Sequence, residues 1–228
     1  MGKKIALCLS GQARFVDKGY HESLAPLLLS DNDVDVFIHT WAVGKEQENK
    51  PYVNAGGHNM GDNVTQQTVD DYLYLYEPKR FLVEKQINFP NGEWSDRAMP
   101  AIRSDYGYSM LYSLYVSNKL RKIYERENNI EYDIIVRSRS DVFIPQFDFE
   151  NMEDKLYLPT GCPHYRGVAD CFAVGKSEYI DLYSDLYFHV KDIMENTDIQ
   201  LCWELLLYHH LTSNNVPLDI SIPHKLYR

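Results

Sequence analysis

The stretch that most constrains this chain is Asp133-Ile134-Ile135-Val136-Arg137-Ser138-Arg139-Ser140-Asp141. The run of β-branched apolar residues predicts a strand over Tyr132 to Val136 that is dry on both faces, as a strand in the middle of a parallel sheet is. Two guanidinium groups and a carboxylate follow at its carboxyl end, where burying unpaired charge is costly. A diphosphate with a divalent metal would neutralise them: Arg137 and Arg139 would donate forked hydrogen bonds, and Asp141 would give a hard oxygen ligand. An internal Arg–Asp ion pair would do so equally well. The residues alone leave both alternatives open.

A central parallel strand needs parallel neighbours. Ile5 to Leu9 is a second short apolar run, ending in Ser10-Gly11. Helical spacing from about Val16 to Ser30 and a strand from Asp33 to His39 complete a strand, helix and strand, long enough for a parallel crossover. A helix over Thr65 to Tyr76, a strand over Arg80 to Glu84 and a helix over Asp105 to Asn128 lead to the central strand. Beyond Pro145 the pattern predicts strands at Lys155 to Leu158 and Cys171 to Val174, helices at Ser177 to Met194 and Ile199 to Leu211, and one further strand after Pro217. The polar stretches Gly44 to Val64 and Phe89 to Ala101 read as loops long enough to serve as lids.

Acidic residues outnumber basic ones 33 to 23, for a net charge of -10, which repels an extended polyanion and argues against nucleic acid. A local basic pocket for a diphosphate remains compatible with that charge. Cys8, Cys162, Cys171 and Cys202 lack the paired spacing of a zinc site. The apolar run near Met1 is too short for a signal peptide or a span, so the expected location is cytoplasmic, with peripheral membrane association left open. No Gly-Lys-Ser/Thr phosphate loop and no Gly-x-Gly-x-x-Gly follows the first strand.

Several residues carry two readings. Gly11 lets the backbone approach a base or ribose, or simply makes a turn. Gln12 and Arg14 contact a nucleotide or lie solvated. Trp41 covers a ligand or packs in the core. Asp170 caps a turn or faces a ligand, and Glu204, between Trp203 and Leu205, reads as a solvated helix residue. His209 and His210 point about 100° apart on a helix and do not share a metal.

Gly11-Gln12-Ala13-Arg14, Asp35-Val36-Phe37-Ile38-His39-Thr40-Trp41, Pro78-Lys79, Ser109-Met110-Leu111-Tyr112-Ser113, Arg137-Ser138-Arg139-Ser140-Asp141 and Gly167 to Gly175 occur in an order that resembles a family of GT-A-like glycosyltransferases of bacteria and large viruses. The resemblance covers most of the chain. It implies an α/β, Rossmann-type three-layer sandwich with a mostly parallel central sheet. It also implies a single domain, 1–228, with a nucleotide-binding part over about 1–141 and an acceptor-side part over about 142–228. Its implied activity is transfer of a sugar from a nucleoside-diphosphate sugar to a glycan or glycoconjugate hydroxyl, assisted by Mn²⁺ or Mg²⁺. Donor-side residues would be Ser10, Gly11, Gln12, Arg14, Trp41, Ser109, Arg137 and Arg139. Asp141 and His224 would be metal ligands, and Asp170 and Glu204 the catalytic acids. Arg139-Ser140-Asp141 departs from the family's Asp-x-Asp in that only its last position is acidic. The rival readings are a non-catalytic nucleotide-sugar binding module and another nucleotide-dependent α/β transferase.

Overall fold

The computed structural model describes residues 3–29, 32–42, 64–89, 92–99, 102–161 and 167–227. Strand β1 (Lys4–Ser10) sets the layers, because its side chains alternate between two apolar clusters. Ile5, Leu7 and Leu9 face one cluster, while Ala6 and Cys8 face the other. Both of its edges are paired in parallel, by β2 (Asp33–Trp41) and by β4 (Ile134–Ser138). The strand β3 (Arg80–Glu84) adds in parallel to β2. Helix α1 (Val16–Gly19), the π-helical turns Tyr20–Leu29 and α2 (Gln66–Tyr76) contribute Val16, Leu24 and Tyr72 to the cluster on the Ile5 face. The opposite face carries α3 (Ser104–Asn128), with Leu111 and Leu114 in its cluster.

The second half extends the same sheet with the direction changed. The strand β7 (Phe172–Gly175) runs antiparallel to β4, and β6 (Leu156–Pro159) runs antiparallel to β7 and parallel to β8 (Leu218–Ile222). Among the described residues the main sheet has the order β3-β2-β1-β4-β7-β6-β8. Helices α4 (Ser177–Asn196) and α5 (Trp203–Ser213) pack with α3 on the Ala6 face. The architecture is therefore an α/β three-layer sandwich on a mostly parallel sheet. A small ribbon pairs β5 (Val142–Phe143) with β9 (Lys225–Leu226). No helix among the described residues is long and apolar enough to cross a membrane.

Two loop expectations meet different outcomes. Of Gly44 to Val64, all but Val64 lies outside the described residues. The described part of the second loop, 92–99, is fastened rather than free. Ala98 bridges to Leu201, and the Arg97 guanidinium donates to the carbonyls of Thr197 and Ile199, both at 2.6 Å. Those bonds also close the end of α4.

Candidate functional site

Strand order locates the site. The chain runs from β1 to β2 and β3 on one side and then returns to β4 on the other side of β1, and in open α/β sheets ligands collect outside the carboxyl ends of the strands at such a reversal. The first rim is Ser10 to Arg14. Gly11 has φ +103°, a conformation for which a residue without Cβ is suited. Its N–H donates to Ser113 Oγ on α3 at 2.7 Å. From the other side, Ser140 Oγ donates to the Arg14 carbonyl at 2.8 Å. The loop is thus held between the central helix and the end of β4.

The second rim is the charged stretch, in which the ion pair is formed. Asp141 is 2 % exposed. Arg139 meets it with a fork, Nε and Nη2 donating at 2.8 and 2.7 Å, and Arg14 Nη2 reaches it at 2.8 Å. Burial pushes the Asp141 carboxyl up, but Arg139 and Arg14 pull it further down, so the net displacement is below the usual carboxylate range. Arg139 moves the opposite way: burial disfavours its charge, and Asp141 more than restores it. Gly19 permits this assembly, since a Cβ there would lie 1.8 Å from the Ser140 carbonyl oxygen.

The donor set fits a metal poorly. Both Asp141 oxygens are engaged by guanidinium groups, and no group of three His, Cys, Asp or Glu side chains among the described residues gathers into a metal cage. The C-terminal segment does return to this motif: Tyr227 N–H donates to the Asp141 carbonyl at 2.9 Å. His224 precedes it, half-buried, with Nδ1 lacking a hydrogen-bond partner among the described residues. Burial pushes its imidazole below the usual histidine range.

Arg137 differs from its expected role. With β4 extending to Ser138, period-two alternation turns Arg137 to the face of Ile135, beneath α4, where it is 1 % exposed. It donates through Nη1 to the Asp170 carbonyl, and its guanidinium lies 5.8 Å from the centre of the Tyr183 ring. Tyr183 Oη donates to the same carbonyl at 3.2 Å. Arg137 and Tyr183 therefore clamp the backbone of Asp170, which leads into β7 beside the end of β4 and has a half-buried side chain. Arg139 N–H donates to the Cys171 carbonyl at 3.2 Å, which sets Asp170 beside the stretch that carries the ion pair.

Glu204 is brought nearby by small residues. A Cβ on Gly107 would lie 1.6 Å from the Trp203 ring, so α5 seats directly on α3. A Cβ on Gly167 would lie 2.8 Å from Glu204 Cβ, and Val168 N–H donates to the Glu204 carbonyl at 3.2 Å. The Cys202 thiol donates to Glu204 Oε2 at 3.1 Å. Both Asp170 and Glu204 act on the Tyr183 phenol, which burial already pushes above its usual range.

Trp41 and Ser109 both have partners within the fold. The Trp41 ring is 5 % exposed and stacks on Tyr112 at 5.8 Å. Ser109 accepts from Gln86 at 2.9 Å, whereas Ser113, one turn on, touches the Gly11 loop. His210 bonds the Leu182 carbonyl at 3.0 Å, and burial pushes it down to about 4. A cavity of about 500 Å³ lined in part by Gln146, Phe147, Asn151, Tyr157 and Pro223 contains none of the candidate residues.

Sequence reading missed Ser113, His39, Glu84 and Tyr183. His39 Nδ1 lies 2.6 Å from Ser113 Oγ, and its Nε2 lies 2.9 Å from Glu84 Oε1. A polar His39 at the end of an otherwise apolar strand was the available signal. Compared with known proteins, the sequence matches no protein-family model and no curated protein.

Proposed function

We propose that this chain is a GT-A-like glycosyltransferase that moves a sugar from a nucleoside-diphosphate sugar to a glycan hydroxyl. The observation that carries this reading is convergence: the Ser10 to Arg14 loop, the Arg139–Asp141 pair and Asp170 meet at the carboxyl ends of β1 and β4. Ligands collect at such a switch point in open α/β sheets.

The chemistry assigned here needs no metal. Arg14, Arg139 and Asp141 carry one net positive charge among them, counting +1, +1 and -1. A preorganised positive centre stabilises the negative charge that develops on a departing nucleoside diphosphate. The Asp141 fork fixes the guanidinium planes, so little reorganisation accompanies the reaction. Asp170 accepts the proton of the attacking hydroxyl, with its main chain held by Arg137 and Tyr183. Glu204 lines the acceptor side.

Thermal shift and titration calorimetry with UDP-, GDP-, CMP- and dTDP-sugars, each in EDTA and in Mn²⁺, test the reading. One donor should stabilise the protein in EDTA, because a ligand that binds only the folded state raises its stability. Arg139→Ala should abolish that effect. Stabilisation only in Mn²⁺ would restore the metal, and stabilisation by no donor would remove the nucleotide-sugar assignment. Donor hydrolysis then separates a transferase from a binding module: Asp170→Asn should lower kcat by roughly 10² with donor Kd unchanged.

A further inference from the structure

The Gly11 loop is anchored by a hydrogen-bond relay that crosses four elements. Glu84, at the end of β3, can only accept as a carboxylate, so His39 Nε2, 2.9 Å away, carries the hydrogen. In the neutral ring Nδ1 then offers a lone pair to the Ser113 hydroxyl at 2.6 Å. Ser113 Oγ in turn accepts the Gly11 N–H at 2.7 Å. One direction of donation therefore satisfies every member.

The surroundings keep the relay in that state. His39 and Ser113 are both 0 % exposed, while the Glu84 side chain is 27 % exposed. Tyr112 and Trp41 close edge-on around the imidazole at 5.7 and 4.8 Å. Burial pushes His39 below its ordinary range, with Glu84 pulling partly back, and burial followed by Glu84 pushes the Tyr112 phenol up to about 12. Although the order Ser, His, Glu is that of a hydrolytic triad, Ser113 is sealed from substrate. Its oxygen also receives a backbone amide.

We propose that Ser113 and His39 are positioning residues: they lock Gly11 in its left-handed conformation and so present the Ser10 to Arg14 loop to the nucleotide part of the donor. Glu84 sets the histidine tautomer from the solvent side. This rests on the nucleotide-sugar reading for the ligand, but the loop locking stands on its own geometry.

The experiment has two independent readouts. Amide exchange followed by NMR should show Gly11 protection falling roughly tenfold in Ser113→Ala and in His39→Leu, with strand β4 amides unchanged. His39→Asn keeps an acceptor toward Ser113 and should restore that protection. Glu84→Ala, at the exposed end, should give a partial loss and guards against a core variant that fails to fold. Calorimetry with UDP, GDP, CMP and dTDP should show weaker binding in the same rank order for whichever nucleotide binds the wild type. Unchanged Gly11 protection in Ser113→Ala and Glu84→Ala would overturn the proposal. Loss of Gly11 protection in a protein that binds no nucleotide would uphold the locking role and sink the nucleotide-sugar reading instead.

Discussion

Arg121 and Arg137 are withdrawn from solvent almost equally, at 0 % and 1 % exposure, yet they are treated in opposite ways. Arg121, on α3, has every nitrogen engaged. Nε donates to Asn118 at 2.9 Å, Nη1 to Glu125 and Ser177 at 2.7 Å each, and Nη2 to Asp181 at 2.5 Å. Arg137, on β4, reaches one main-chain carbonyl, and its Nε and Nη2 have no partner among the described residues. Burial alone therefore does not say what a buried arginine does. The satisfied cluster locks α3 to α4, whereas the under-satisfied group lies against the rim that carries Asp170. Polar groups left short of partners are rare in native interiors, and departures from local rules concentrate at functional sites.

The Arg14–Asp141–Arg139 triad lies at the same rim but has both carboxylate oxygens engaged, and removing that carboxylate should give the largest effect. Asp141→Ala leaves two guanidinium groups, 11 % and 21 % exposed, without that counter-charge, at a cost of about 3–5 kcal/mol. The acid dependence has a definite sign. Burial raises the Asp141 carboxyl but Arg139 and Arg14 lower it more, so its folded pKa lies below its unfolded one. Its stabilisation is present above the unfolded value and disappears as pH falls through the folded value. Urea midpoints measured from neutral pH downward should fall less steeply in Asp141→Asn than in wild type. Parallel slopes would mean that the pair is not what holds this rim together.

Arg121→Met should follow, at about 2–3 kcal/mol. Breaking a buried pair normally costs more, but the partners left behind reach water, with Asp181 25 % and Glu125 16 % exposed. Lys122 also still pairs with Asp181 at 2.7 Å. Denaturation curves would give the loss, and donor binding by the folded variant should not change. Weakened donor binding would join the two arginine clusters into one functional unit and erase the contrast between them.

The contrast was only half legible in sequence. Strand β3 falls on its expected residues, and the helix expected over Thr65 to Tyr76 runs over Gln66–Tyr76, with Thr65 outside it as a reciprocal cap, Thr65 and Thr68 each bonding the other's main chain. Apolar periodicity reports such elements well because they bury one face. It does not report direction, so the antiparallel β7 carried no signal, and strands of two residues such as β5 and β9 have no period to read. Helical spacing from Val16 onward did not distinguish α-helix from the π-helical turns at Tyr20–Leu29. At the site, Arg139 and Asp141 were named, but side-chain geometry was needed to show that Arg14 joins them in one ion cluster. The Arg137 assignment turned on two residues: ending the strand at Val136 left Arg137 in a loop, while continuing it to Ser138 put the side chain under α4. His39 and Ser113 are 74 positions apart, and no local pattern joins them.

The smallest stability effect, and the one that sharpens the comparison most, belongs to Arg137→Met. Methionine keeps a straight apolar stem in the same channel, and it removes a guanidinium that has only partial hydrogen bonding. Lost are the bond to the Asp170 carbonyl and the contact over Tyr183 at 5.8 Å; gained is relief from burying two donors without partners. These terms nearly cancel, so unfolding free energy should change by about 1 kcal/mol or less, against the 2–3 kcal/mol expected at Arg121. Activity should not be spared. With one jaw of the clamp gone, Asp170 is held by Tyr183 alone, and kcat should drop while donor Kd stays constant, the signature of an interaction that matters only in the transition state. Equal destabilisation by Arg121→Met and Arg137→Met, with kcat unaffected in both, would make Arg137 a second structural lock and would leave the positioning of Asp170 to Tyr183.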